Sequence, residues 1–171
     1  MRGLSTRTTR WLLYLLALVV LAAGAYRLTG ALLAVPGDVV VNRLQAGEEV
    51  GPADWRKLED SHAAAAALFP APGLWNSVGR ARMELQRQAA AQDPEIYGPA
   101  LAAYARSLEA SPVNGRAWAG IAMIRQLQGR PLPEVLEALS RSRETDPHDL
   151  GLKVFRAMLL RGQFKTLPKA H

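Results

Sequence analysis

Few side chains in this sequence have the types and spacing that chemistry requires. The acid pairs Glu48/Glu49 and Glu59/Asp60 are the available carboxylates for an acid–base reaction such as glycan cleavage, which needs two that converge. Neighbouring residues on a helix point about 100° apart, so Glu59 and Asp60 diverge, and both pairs read as solvated charge. His62 lies on an apolar stripe between Leu58 and Ala65, with no second histidine or acid at ligand spacing on its face, and reads as a packing residue. The absence of cysteine removes disulfides, thiolate metal sites and cysteine nucleophiles. No glycine-rich phosphate loop, Gly-x-Ser-x-Gly elbow or His-Glu-x-x-His is present. The sequence therefore predicts no catalytic residue, no cofactor and no metal. What remains is cationic: Arg80, Arg82 and Arg87 on one predicted helix and Arg141 and Arg143 on another can line a groove for acidic groups, partly offset by Glu84 and Glu144.

The elements that must carry these residues begin with an apolar rod. Trp11 to Tyr26 holds no charge, and after Arg27 the apolar character resumes to Val35. At about 1.5 Å per residue, Trp11 to Thr29 just crosses a hydrocarbon core of about 30 Å. The formal charge of +6 is concentrated here: Arg2, Arg7, Arg10 and Arg27 have no acidic neighbours, which leaves 17 basic against 15 acidic residues beyond them. A nearly neutral folded part gives no basic face for nucleic acid. Three arginines before the rod and one after it put the N-terminus in the cytoplasm and residues 36–171 outside. The same residues also fit a cleaved signal peptide, with Ala23-Gly24-Ala25 as the small-residue cleavage site. The expected division is a basic N-terminus over 1–10, an anchor over 11–35 closed by Val35-Pro36-Gly37-Asp38, a tether over 36–52, a helical domain over 53–161 and a basic tail over 162–171.

Within the domain the fold class is all-α. Pro52 and Asp54 start a helix with Trp55, Leu58, His62, Ala65, Ala66 and Phe69 on one face, ended by Pro70 and Pro72. Helices follow over Leu74–Ala91, over Pro99–Ala110 with Leu101, Tyr104, Ala105 and Leu108 inward, over Gly115–Gln128, and over Glu134–Glu144. Asp93-Pro94-Glu95 and Gly98-Pro99 both offer starts for the second of these. A last helix, Leu150 to Arg161, is expected to turn Val154, Phe155, Met158 and Leu159 inward.

Ala100, Tyr104, Ser107, Leu108 and Pro112, followed by Trp118, Ile121 and Ala122, resemble the back half of one tetratricopeptide repeat joined to the front half of the next. Trp75, Val78 and Gly79 restate the opening of the first helix. The resemblance covers residues 53–161 and implies antiparallel helical hairpins that bind protein partners on their inner face, where Asn76, Arg80 and Arg87, and Arg125 one unit later, are the candidates. In the last unit Lys153 and Arg156 stand where the tryptophan and leucine belong, so that helix is expected to be a polar cap. The layout of rod, Tyr104, Pro112, Ala117-Trp118-Ala119 and Asp146-Pro147 also resembles small single-pass proteins of bacterial exopolysaccharide and O-antigen assembly systems, of the VpsP type. That likeness implies a non-catalytic accessory role beside protein partners of such a machine, in a bacterial inner membrane. The alternatives are a cleaved-signal periplasmic adaptor, a transmembrane-helix subunit of a polytopic transporter or polymerase, and, last, an envelope glycan-cleaving enzyme.

Overall fold

The computed structural model describes residues 6–89 and 94–166, and every regular element among them is helical. The first helix, α1, runs unbroken over Thr6–Gln45 with Pro36 inside it. The break expected at Val35–Asp38 is therefore absent. A proline inside a helix costs about 3 kcal/mol through its missing N–H and its crowding of the preceding turn. That cost is offset by a neighbour: Ala34, Gly37 and Val40 are buried against α2, Pro52–Leu68. A Cβ on Gly37 would fall 2.4 Å from His62 Cδ2, so glycine is what lets α2 come this close. The region expected to be a tether is thus the first packed layer of the domain.

Arg43 fixes the turn between the two helices, with Nε 2.9 Å from Glu48 Oε2 and Nη1 2.9 Å from Asp54 Oδ1. Asp54 Oδ2 in turn accepts from the Gly51 N–H at 3.2 Å, which satisfies a free donor at the start of α2. At the other end of α2, the Tyr26 hydroxyl donates to the Leu68 carbonyl at 2.5 Å.

The remaining helices are α3 (Pro72–Gln88), α4 (Gly98–Ala110), α5 (Gly115–Leu127), α6 (Leu132–Thr145) and α7 (Leu150–Thr166). A single 3₁₀ turn over Pro94–Tyr97 precedes α4, so the two competing start signals are used in succession. Expectations for the end of α3 at Ala91 and the last residues of the basic tail lie outside the described residues. Each helix packs on the next, and α5 also meets both α3 and α7, so the odd-numbered helices line one side. The core is a series of clusters between successive pairs. Val40, Trp55, Leu58 and Ala81 form the first, and Trp75, Val78, Ala66 and Ala103 the second. Met83, Ala100, Tyr104, Ala117 and Ile124 form the third, and Ala122, Val135, Ala138, Leu139 and Leu159 the fourth.

Two inward faces differ from expectation. On α4 Ala105 is exposed, while Ala103 and Ser107 are buried. On α7 Val154 and Met158 face outward, and Leu152, Arg156 and Leu159 face in. The phase of α7 follows Arg156, whose Nη1 reaches the Ser142 carbonyl at 3.2 Å, Ser142 Oγ at 3.1 Å and the Asp146 carbonyl at 3.3 Å. The Ser142 carbonyl also accepts from the Asp146 N–H at 3.1 Å, so the arginine adds a charged second donor at the C-terminal end of α6, where the helix dipole favours a cation.

Candidate functional site: a groove between the odd-numbered helices

Tyr104 builds the floor of a concavity on the side of the odd-numbered helices. It is 4% exposed and projects from α4 between α3 and α5. A Cβ at Gly79 would lie 2.9 Å from its Cζ, and one at Gly120 only 2.3 Å. Burial pushes the phenol well above its ordinary range, so the ring stays neutral. Gly79 was expected as the small residue opening its helix, not as a neighbour of Tyr104; Gly120 was not singled out, because the resemblance placed the small residue of that helix at Ala122. Ala122 is buried instead in the cluster shared with α6, beside Trp118 and Ile121.

A closed polar ring holds the same junction. Ser107 Oγ lies 2.9 Å from both the Pro72 carbonyl and Asn76 Oδ1, its single proton shared between them. Asn114 Nδ2 donates to Ser107 Oγ at 2.8 Å, and Asn76 Nδ2 donates to Asn114 Oδ1 at 3.2 Å. Asn114 Oδ1 also accepts from the Arg116 and Ala117 N–H groups, capping α5. One layer on, Ser142 Oγ donates to the Gly115 carbonyl at 2.8 Å, and Asp149 Oδ1 accepts from the Leu152 N–H at 3.0 Å. In both layers a serine on the even-numbered helix reaches the first residue of an odd-numbered one.

The groove above this floor measures about 490 Å³. Val41 and Leu44 of α1, Asn76, Arg80 and Met83 of α3, Gly120 and Met123 of α5, and Leu152 and Phe155 of α7 line it. Its walls are mostly apolar, and its charges are few. Arg116 is paired with Asp149 at 3.0 Å, and Glu84 with Arg87 at 2.8 Å. The Asp149 carboxyl is held below its ordinary range by the Leu152 N–H and by Arg116, so this pair stays charged. Arg80 differs: it is exposed, its guanidinium lies 5.6 Å from the Trp55 ring centroid, and it has no acidic partner among the described residues.

Of the four residues expected on the inner face, the structure brings Asn76 and Arg80 to the groove. Asn76 spends its amide on the polar ring. Arg87 is drawn to Glu84, and Arg125 points to α6, where it donates to the Glu134 carbonyl at 2.7 Å and lies 3.4 Å from Glu137. Neither lines the groove. Arg82 is likewise committed, to Glu59 at 2.7 Å. The apolar contributors from α1, Val41 and Leu44, were missed because that segment was read as a tether.

The acid pairs do not converge, since Glu59 is held by Arg82 and Glu48 by Arg43. Among the described residues no three His, Cys, Asp or Glu side chains gather as a metal site would require. His62 is buried beneath α1. Neither of its ring nitrogens makes a well-aligned hydrogen bond, although Asp38 Oδ1 stands 3.3 Å from Nε2. Compared with protein-family models and with curated proteins, the chain matches none.

Proposed function

We propose that this chain is a membrane-anchored, non-catalytic scaffold of tetratricopeptide-like hairpins, and that its groove grips an extended protein segment carrying an acidic group. Arg80 is the observation that carries this reading. A cation stacked on an aromatic ring, at the wall of an apolar groove and without an acidic partner among the described residues, is set to receive a carboxylate from outside. The hairpin reading is supported by the two serine contacts and the two cap residues, Asn114 and Asp149, since each pair is spaced 35 residues apart. The anchor is α1, in which Arg10–Gln45 is long and apolar enough to cross a membrane and its most apolar stretch is exposed. The charge bias supports an orientation with the hairpins on the non-cytoplasmic side. The resemblance to exopolysaccharide and O-antigen accessory proteins gives the membrane, a bacterial inner one, and the class of partner, a protein of a polysaccharide assembly machine.

A second reading, the cleaved-signal adaptor, draws on Tyr26. The docked part of α1 begins at this residue, directly after Ala23-Gly24-Ala25, so cleavage there would spare the packing on α2. It would leave Leu28, Leu32, Val35 and Val39, all exposed and at helical spacing, facing water.

A photo-crosslinking residue at Ser77, on the groove wall, tests the groove in the full chain in its own membrane. One discrete protein adduct is expected, lost with Arg80→Glu and kept with Arg87→Glu. An adduct unaffected by Arg80→Glu rejects the groove. Exchange of Trp11–Ala25, which spares the docked part of α1, for an unrelated span leaves the adduct in place under this reading, and abolishes it if the transmembrane helix makes the contact.

A further inference from the structure

No Asp, Glu, Lys or Arg occurs between Asp60 and Arg80, an uncharged run longer than Trp11–Tyr26 in the rod itself. Burial accounts for only part of it. Trp55, Leu58, Ala65, Ala66, Trp75 and Val78 at its flanks are core, but its middle is the α2–α3 corner, where Ala67, Pro70, Ala71 and Gly73 are exposed and Leu68, Phe69, Pro72 and Leu74 are half-buried.

The position of this corner along α1 gives it a meaning. Tyr26 bonds the Leu68 carbonyl, and its ring centroid lies 5.4 Å from that of Phe69. Arg27 stands 5.8 Å from the Phe69 ring centroid, and Gly30 is close enough that a Cβ there would lie 3.3 Å from Phe69 Cδ2. Because α1 continues as one helix through these contacts, the corner shares their depth. If the span ends at Thr29, Tyr26 sits about 4.5 Å below the end of the hydrocarbon at 1.5 Å per residue. The exposed stripe of Leu28, Leu32 and Val35 carries the apolar surface still further along the rod. A tyrosine and an arginine at this level are the usual interfacial anchors.

We infer that the α2–α3 corner, Leu68 to Leu74, is embedded at the boundary between the hydrocarbon and the headgroups of the leaflet from which α1 emerges, making the bilayer itself the partner of this face. The apolar cleft beside it, about 400 Å³ between Gly30, Ala31, Ala34, Phe69 and Leu74, opens at Arg27 and takes up the upper part of a phospholipid chain, with the lipid phosphate at the guanidinium. The domain is consequently held against the membrane by two points, the rod and the corner, and does not swing on a tether. This inference rests on the anchor reading above.

The natural absence of cysteine permits a direct depth measurement on the full chain in phospholipid vesicles. Fluorophores are attached at Ala71→Cys, at Thr29→Cys, at Leu21→Cys in the middle of the rod and at Ala46→Cys beyond its far end. Ala71 is exposed and offers only its backbone to the start of α3, so the fold tolerates the probe. A headgroup-attached quencher is expected to quench the probe at 71 as strongly as that at 29 and to leave the probe at 46 unaffected. If the probe at 71 behaves like that at 46 while a chain-attached quencher reaches position 21, the embedded corner is wrong and the anchor stands. If position 21 is not quenched either, the anchor reading falls and this inference falls with it.

Discussion

The ring of Tyr104 occupies the space that a side chain at Gly120 would need, an added Cβ there lying 2.3 Å from Cζ. The ring cannot yield, because it is buried among Met83, Ala100, Ala117 and Ile124. Replacing Gly120 with alanine gains up to about 1 kcal/mol of helix propensity but overpacks the junction, which costs about 1–3 kcal/mol or more. Gly120→Ala is therefore expected to lower the thermal midpoint, and to cost nothing further in a Tyr104→Ala background, where the cavity accepts the methyl. Denaturation of the four chains of this cycle checks it; equal losses in both backgrounds would dissociate the two residues.

Arg156 serves α6 as much as its own helix. Arg156→Met keeps most of the apolar stem and removes the guanidinium from the Ser142 and Asp146 carbonyls. The Ser142 carbonyl keeps the Asp146 N–H, so the loss is that of hydrogen bonds from a charged donor, about 1.5–3 kcal/mol. Hydrogen exchange should show the loss first at the C-terminal turn of α6 and along α7, with α2 and α3 unchanged.

His62 makes the packing of α1 on α2 sensitive to acid. Burial holds the imidazole below its ordinary range, against the opposing pull of Asp38. The unfolded imidazole, near pKa 6.5, takes up its proton before the folded one does. Stability is thus fully present above about pH 6.5 and drains as pH falls toward the lower folded value. Chemical denaturation of the detergent-solubilised chain at about pH 7.5 and about pH 5 should show this loss. His62→Gln should remove most of it. Asp38→Asn should enlarge it, because the carboxylate favours the charged ring; a loss unchanged in both variants would assign the acid sensitivity elsewhere.

The helical domain was legible where residue type and period agree. Trp75, Gly79, Ala100, Tyr104 and Pro112 announced helices and a close crossing, and five turns carried proline or glycine where the chain reverses. Pro36-Gly37 misled because local propensity marks a break, whereas Gly37 is there to admit His62 and Ser61. Only the contact with α2, distant in sequence, reveals that use. The phase of α7 was hidden for a related reason: an arginine reads as a surface residue until the α6 carbonyls it reaches are in view. In the groove, Asn76 and Arg80 could be placed by helical spacing alone. Arg87 and Arg125 could not, since short-range attraction to Glu84 and to α6 decides which way a long flexible side chain turns.

Alkaline carbonate extraction of membranes from cells making the full chain tests the central claim most directly, because α1 is asked both to cross the bilayer and to form the first layer of the domain. The account predicts an uncleaved product of 18.6 kDa that stays in the membrane pellet. A soluble product, whether of full mass or shortened behind Ala25, would contradict it.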